Sequence, residues 1–324
     1  MRREAAIRRT RRILRRRTWT EAARYAAWKT RRLEEDGTTS PLSWPLRSDE
    51  LEDVIVRWPR RYAWANARHF TAPIRLGIAR HAHLVAADIP QSPGNLVALE
   101  FVRGSHVVRV AIDYDDLPVL HPDVHRADLY FKLQFRCGGY AESTVIPGGY
   151  AAPKLSLYRY ARRWRALGER ETADAPIFAR FSPSSDVRRE LLETVRRAGW
   201  ASDRVVVGSS WLEYMHDLSR APICLDAPGR GEICFRLVEA LAVGACVVGP
   251  ELEAELHVPT NEAVVRVRRD HSDLVTACDG LLHDAAQRTS LRLRAAEYFD
   301  RYLDIHQLGA YYVRAMLDAS SSPH

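Results

Sequence analysis

Leu225-Asp-Ala-Pro-Gly-Arg-Gly-Glu-Ile-Cys-Phe-Arg-Leu-Val-Glu-Ala-Leu-Ala-Val-Gly-Ala-Cys-Val-Val-Gly249 decides how this 324-residue chain is read. An apolar run ending at Asp226 reads as a strand that delivers the chain into Pro228-Gly229-Arg230-Gly231. Small residues there let backbone N–H groups approach an anion. A helix is expected immediately afterwards, over residues 232–243, closed by Gly244. Arg230 adds a full positive charge at the lip, while Arg236 and Glu239, three apart, share one side of the helix. A carboxylate such as Glu239 can accept two hydrogen bonds from a vicinal diol, the group that a nucleotide ribose offers. Glu232, Arg236 and Glu239 also read as an exposed ion-pair ladder behind an ordinary glycine turn. Spacing alone leaves both readings open.

Around this stretch the second half of the chain alternates. Helical patterns cover residues 153–167, 186–198 (with Asp186 as N-cap) and 211–219, and strand patterns cover 177–181, 204–207, 222–226, 246–249 and 264–267. Helices over roughly 272–283 and 285–304, and a last one to about 317, follow. Strand and helix in alternation with short joints imply a parallel, doubly wound sheet. In the first half, the short apolar runs 74–79, 84–87, 96–101 and 107–112 read as strands, the last ending in Asp113-Tyr-Asp-Asp116. A further segment, Asp128-Leu-Tyr-Phe-Lys132, leads to glycine pairs at 138–139 and 148–149 that mark turns and an approach to a boundary near residue 152.

The run Arg236-Leu-Val-Glu-Ala-Leu-Ala-Val-Gly-Ala-Cys-Val-Val resembles the nucleotide-sugar-binding helix of GT-B fold glycosyltransferases, including the exostosin-like and group 1 families. Tyr214-Met-His-Asp-Leu-Ser-Arg-Ala-Pro-Ile-Cys-Leu is similar to the helix and strand that precede that motif, and Tyr298-Phe-Asp-Arg-Tyr-Leu resembles the closing helices. The resemblance covers roughly residues 205–315. It implies an α/β architecture of two doubly wound Rossmann-like domains facing a cleft, preceded by a basic N-terminal helix. Residues 37–152 would form the acceptor-side domain and 153–324 the nucleotide-sugar-binding domain. It further implies that Glu239 holds the donor ribose and that the Gly229-Arg230-Gly231 loop and nearby basic residues hold the diphosphate. Many retaining members carry two glutamates eight positions apart. Here the earlier position is Gly231, with Glu232 one residue late, so this departure leaves the choice between a retaining and an inverting reaction open.

The implied reaction moves a sugar from a nucleoside diphosphate to a hydroxyl on a glycan, lipid carrier or small molecule, with no obligatory cofactor or metal. Negative charge on the departing diphosphate must then be met by fixed cations and a helix N-terminus. Arg230, Arg236, Arg180 (at the end of the 177–181 strand) and Lys132 are the candidates. Asp113, closing a strand on the acceptor side, is the first choice for general base, with His83 second and His81 beside it. Asp113-Tyr114-Asp115 also matches the Asp-x-Asp pattern with which GT-A fold transferases hold a divalent cation, a competing reading.

Composition narrows the partners. With 46% hydrophobic and 27% charged residues the chain can bury a full core, and its five scattered cysteines form no Cys-x-x-Cys pair. Residues 1–33 carry a net +11 and the remaining 291 sum to −4, so the excess basic charge belongs to an arm. On a helical wheel Ile7, Thr10 and Leu14 share one side, with arginines crowding the other. A basic amphipathic helix over 1–36 suits an anionic membrane surface. A slightly acidic body argues against a nucleic-acid-binding face, leaving a nucleic-acid or scaffold role to the arm alone. A cytoplasmic protein, peripheral at the membrane, is the expectation.

Overall fold

The computed structural model describes residues 40–168, 176–200, 211–260 and 262–321. The basic arm and the strand expected over 204–207 lie outside the described residues. In chain order the elements are α1 (Ser48–Leu51), β1 (Val54–Pro59), α2 (Ala67–Ile78), β2 (His83–Ala87), β3 (Leu96–Arg103), β4 (His106–Asp113), β5 (Leu129–Lys132), β6 (Phe135–Arg136) and β7 (Val145–Pro147). There follow α3 (Leu155–Gly168), β8 (Ile177–Phe178), α4 (Asp186–Arg197), α5 (Trp211–Arg220), β9 (Ile223–Leu225), α6 (Phe235–Ala242), β10 (Val247–Pro250), β11 (Ala254–Glu255) and β12 (Val264–Val267). The chain closes through α7 (Leu274–His283), α8 (Ala285–Tyr298), a π-turn at Phe299–Leu303 and α9 (Ile305–Ser321).

The structure is mixed α/β with two principal sheets. The second is parallel throughout, in the order β12-β10-β9-β8. Its strands are short and apolar on both faces, as buried parallel strands must be. Leu191 and Val195 of α4 join Leu274, Cys278 and Leu281 of α7 around Ile223, Leu225, Val248 and Val267 in one buried cluster.

The first sheet has six strands in the order β2-β1-β3-β4-β5-β7 and departs from the expected all-parallel winding. β3 runs antiparallel to both β1 and β4, while β4, β5 and β7 run parallel. The physical reason is the tight connection at Gly104, whose φ of 57° reverses the chain between Arg103 and His106 and makes a hairpin. The run at 74–79 is also helical rather than a strand. Its buried positions Ala67, Thr71, Ile74 and Ile78 recur every three or four residues along α2. β1, unassigned in the sequence reading, lies between β2 and β3 and buries Val54, Val56 and Trp58.

α9 does not stay with the second sheet. It crosses back to pack along α2, with Tyr312 buried against Phe131 of β5 (ring centroids 4.4 Å apart). The approach is close enough to require glycine. A Cβ on Gly77 would stand 2.4 Å from the Ile305 carbonyl, and one on Gly309 would stand 2.1 Å from that of Gly77. The glycine pair read as a turn at 148–149 has the same use, because a Cβ on Gly149 would meet Leu308 and Tyr312 of α9 at 2.7 and 3.2 Å. No helix of the described residues is long and apolar enough to cross a membrane.

Gly309→Ala should therefore lower stability by about 1–3 kcal/mol or more through overpacking. Gly280→Ala, in an exposed stretch of α7 where an added Cβ meets nothing within 4 Å, should raise it by about 0.5–1 kcal/mol. Urea unfolding midpoints of the two variants check both signs.

Candidate functional site

The 225–249 stretch folds as a strand, a loop and a helix, but the helix begins at Phe235, three residues later than expected. The delay has a cause outside the stretch. Gln134, just beyond β5 and 1% exposed, accepts from the Ile233 N–H at 3.0 Å and donates to the Ile233 carbonyl at 2.8 Å. That reciprocal bond holds Ile233 out of the helix and ties the loop to the first sheet. Gly231 is required by the same contact, since its Cβ would lie 2.7 Å from Gln134 Nε2 and 2.8 Å from the Asp116 carbonyl. Gly229 is pressed between the Arg188 guanidinium and Cys234, and its N–H donates to the Gly231 carbonyl at 2.9 Å. The loop glycines thus serve packing, and the Gly229 N–H is spent within the loop.

A cleft of about 580 Å³ opens on this loop. The second sheet's connections supply Arg188, Trp211, Tyr214, Gly229, Arg230, Gly231, Arg236 and Glu239, and the first sheet's supply Phe70, Asp116 and Tyr150. The sequence-predicted Gly229, Arg230, Gly231, Arg236 and Glu239 come together here. Arg230 is exposed at the rim. Arg236 lies with its guanidinium 4.9 Å from the Phe181 ring centroid and donates through Nη2 to the Arg180 carbonyl. Its Nε and Nη1 are sealed from solvent without an acceptor. Glu239 is 9% exposed and accepts from Trp211 Nε1 at 3.1 Å and from Tyr214. Burial pushes its carboxyl above the ordinary carboxylate range against the pull of those two donors and Arg236. Two of its roughly four acceptor positions are used, which leaves capacity for a diol.

The other candidates stand elsewhere. Arg180 pairs with Asp217 at 2.5 Å on α5 and does not line the cleft. Asp113 and Lys132, the last residues of β4 and β5, are register partners. Lys132 Nζ sits 2.9 Å from Asp113 Oδ2, at 0% and 2% side-chain exposure, and has no hydrogen-bond partner besides this ionic contact. Asp113 also accepts from Tyr130 Oη at 2.5 Å and from the Asp115 N–H at 2.9 Å. Sealed in this way, Asp113 does not line the cleft. Asp115 holds Asn95 Nδ2 at 2.7 Å and the Leu117 N–H at 2.9 Å, while Asp113, its partner in the Asp-x-Asp pattern, is ion-paired to Lys132. Among the described residues no three His, Cys, Asp or Glu side chains cluster as a metal site. His83 is exposed on β2, and His81 contacts the His306 carbonyl at 2.8 Å; neither lines the cleft. Glu232, the late glutamate, is held by Arg269 at 3.2 Å and the Glu253 N–H at 3.0 Å.

Several site residues escaped the sequence reading. Arg188 of α4 supports the loop by donating to the Pro228 and Ala227 carbonyls at 2.9 and 3.3 Å. Its helix is capped by Ser185, which accepts from the Arg188 N–H, rather than by Asp186. Asp116 is the cleft carboxylate on the first-sheet side, and burial together with the charge of Asp115 raises its carboxyl above the ordinary value. It stands three residues past Asp113, inside the run already singled out. Asp226, at the end of β9, is 1% exposed with neither oxygen hydrogen-bonded, and Arg266 Nη1 lies 3.9 Å away.

Removing one partner of the Asp113–Lys132 pair should strand a buried charge. Lys132→Met is expected to cost about 3–5 kcal/mol in denaturant unfolding. Lys132→Met combined with Asp113→Asn should recover most of that loss, because no uncompensated carboxylate then remains.

Compared with known proteins, the chain matches no family model and no curated protein.

Proposed function

We propose that the chain is a glycosyltransferase of GT-B-like, two-lobed design that moves a sugar from a nucleoside diphosphate to a hydroxyl acceptor. The observation that carries this reading is the pairing of the Arg236 cation with the underused carboxylate of Glu239 in one cleft. The first suits an anion and the second a ribose diol, and they are one helical turn apart. Arg230 at the rim adds charge where the diphosphate departs. The resemblance of residues 205–315 to nucleotide-sugar-binding domains supports the same assignment.

In this reading the acceptor oxygen attacks the anomeric carbon as the bond to the β-phosphate oxygen breaks. The electron pair leaves on the diphosphate, opposite Arg230 and Arg236. The hydroxyl proton passes to Asp116, which takes the base role first assigned to Asp113. A carboxyl already raised by burial is a better proton acceptor than an ordinary one once ionised.

Nucleoside diphosphates should stabilise the protein against heat, by about 2.7 kcal/mol at a hundredfold excess over the dissociation constant. Glu239→Ala should weaken that binding about tenfold or more, while Arg180→Ala leaves it within about twofold. An unaltered affinity in folded Glu239→Ala sinks the ribose role.

Asp116 must be ionised to act, so kcat/KM should fall as pH drops through its raised value. Asp115→Asn removes a like charge and should move that acid limb to lower pH. Asp116→Asn should lose about 10²–10⁴-fold in kcat. A pH profile whose acid limb ignores Asp115→Asn rejects Asp116 as the base.

A further inference from the structure

The two walls of the cleft differ in chemistry. The second-sheet wall brings Arg188, Arg230, Arg236 and Glu239. The first-sheet wall brings one carboxylate, Asp116, and aromatic rings. Phe70 of α2 stacks on Tyr114 with ring centroids 5.0 Å apart and an interplanar angle of 26°. Phe70 also meets Phe235 at 5.3 Å, and Phe235 meets Tyr150 at 5.5 Å. Tyr114, 2% exposed, is fixed from behind by its hydroxyl, which donates to Asn66 Oδ1 at 3.3 Å. Phe70 is therefore a ring braced by Tyr114 and Phe235, with its remaining surface half-buried at the cleft. Phe70 and Phe235 both keep partial exposure there while Tyr150 is sealed.

Three ligand chemistries can be weighed against this wall. An acyl chain wants a continuous apolar trench, and here the rings are flanked by Asp116 and Arg230. A phosphate-bearing acceptor would meet the Asp116 carboxylate. A sugar ring presents an apolar C–H face and a rim of hydroxyls, which matches a braced aromatic ring beside a hydroxyl-accepting carboxylate. We propose that the first-sheet wall binds a pyranose, stacked on Phe70 with a hydroxyl directed at Asp116. The acceptor would then be a glycan or glycoside rather than a lipid phosphate. Naming that sugar as the acceptor rests on the transferase reading; the sugar site itself does not.

Saturation-transfer NMR on the full chain tests it, using a panel of methyl hexopyranosides with and without uridine or guanosine diphosphate. The expected result is saturation of the C–H protons of one ring face in at least one glycoside. Binding should be weakened roughly tenfold by Phe70→Ala and largely kept by Phe70→Trp. An unchanged melting temperature shows that the alanine variant is folded; if it is not, loss in Asp116→Asn of the contact to a single hydroxyl position reads out the same wall. The proposal is overturned if no glycoside receives saturation or if Phe70→Ala binds as the wild type does. It is equally overturned if saturation reaches the nucleobase protons instead, which would make Phe70 a base platform. Failure of every nucleoside diphosphate to bind would remove the transferase reading and leave a positive glycoside result standing.

Discussion

The fold of the site depends on one buried ion pair. Asp113 and Lys132 end two adjacent parallel strands, and their charges meet where both chains leave the sheet. Desolvating two ions costs several kcal/mol apiece, so such a pair persists only with good geometry and further hydrogen bonds. Here Tyr130 and the Asp115 N–H supply them, and the Leu133 N–H donates to the Asp113 carbonyl at 2.9 Å. The cleft carboxylate Asp116 and the loop clasp Gln134 both depart from this knot. Asp115 and Asp116 leave from one side of it and Gln134 from the other.

Gln134 carries that order across to the second sheet. Its two bonds to Ile233 are a β-ladder exchange made by a side chain, and they decide where α6 can begin. The far end of α6 is held as firmly. Arg165 donates to the Ala242 carbonyl at 2.8 Å while gripping Asp300, and Arg292 donates to the Gly244 carbonyl at 3.1 Å. Orphan carbonyls at a helix C-terminus thereby acquire cationic donors. The helix bearing Arg236 and Glu239 is thus fixed at both ends by residues outside the cleft lining.

Much of this was legible in the sequence where the signal is local. The short apolar strands β9, β10 and β12, each bounded by polar or glycine punctuation, are where the alternating pattern put them. Residues 74–79 were not, because a short apolar run has no period long enough to separate strand from helix; only the spacing back to Ala67 and Thr71 reveals α2. In the site, Arg236 and Glu239 were readable from one helical stripe. The end of a strand at Asp113 is visible in a sequence, whereas the burial of that side chain is not. Arg188 and Phe70 reach the cleft, and Gln134 reaches its loop, from other elements, and no short-range pattern joins them to it.

The return of α9 to the first sheet bears on the order in which the molecule can be made. His81 and His306, in contact at the junction of α2 and α9, are 225 residues apart in the chain. During synthesis the opening half emerges with the groove along α2 uncovered, and at the usual pace of translation it waits many seconds for residues 305–321. Contacts of such long range slow folding and leave apolar surface open to aggregation or to chaperones in the interval. A fragment ending near residue 152 would remain in that exposed condition permanently.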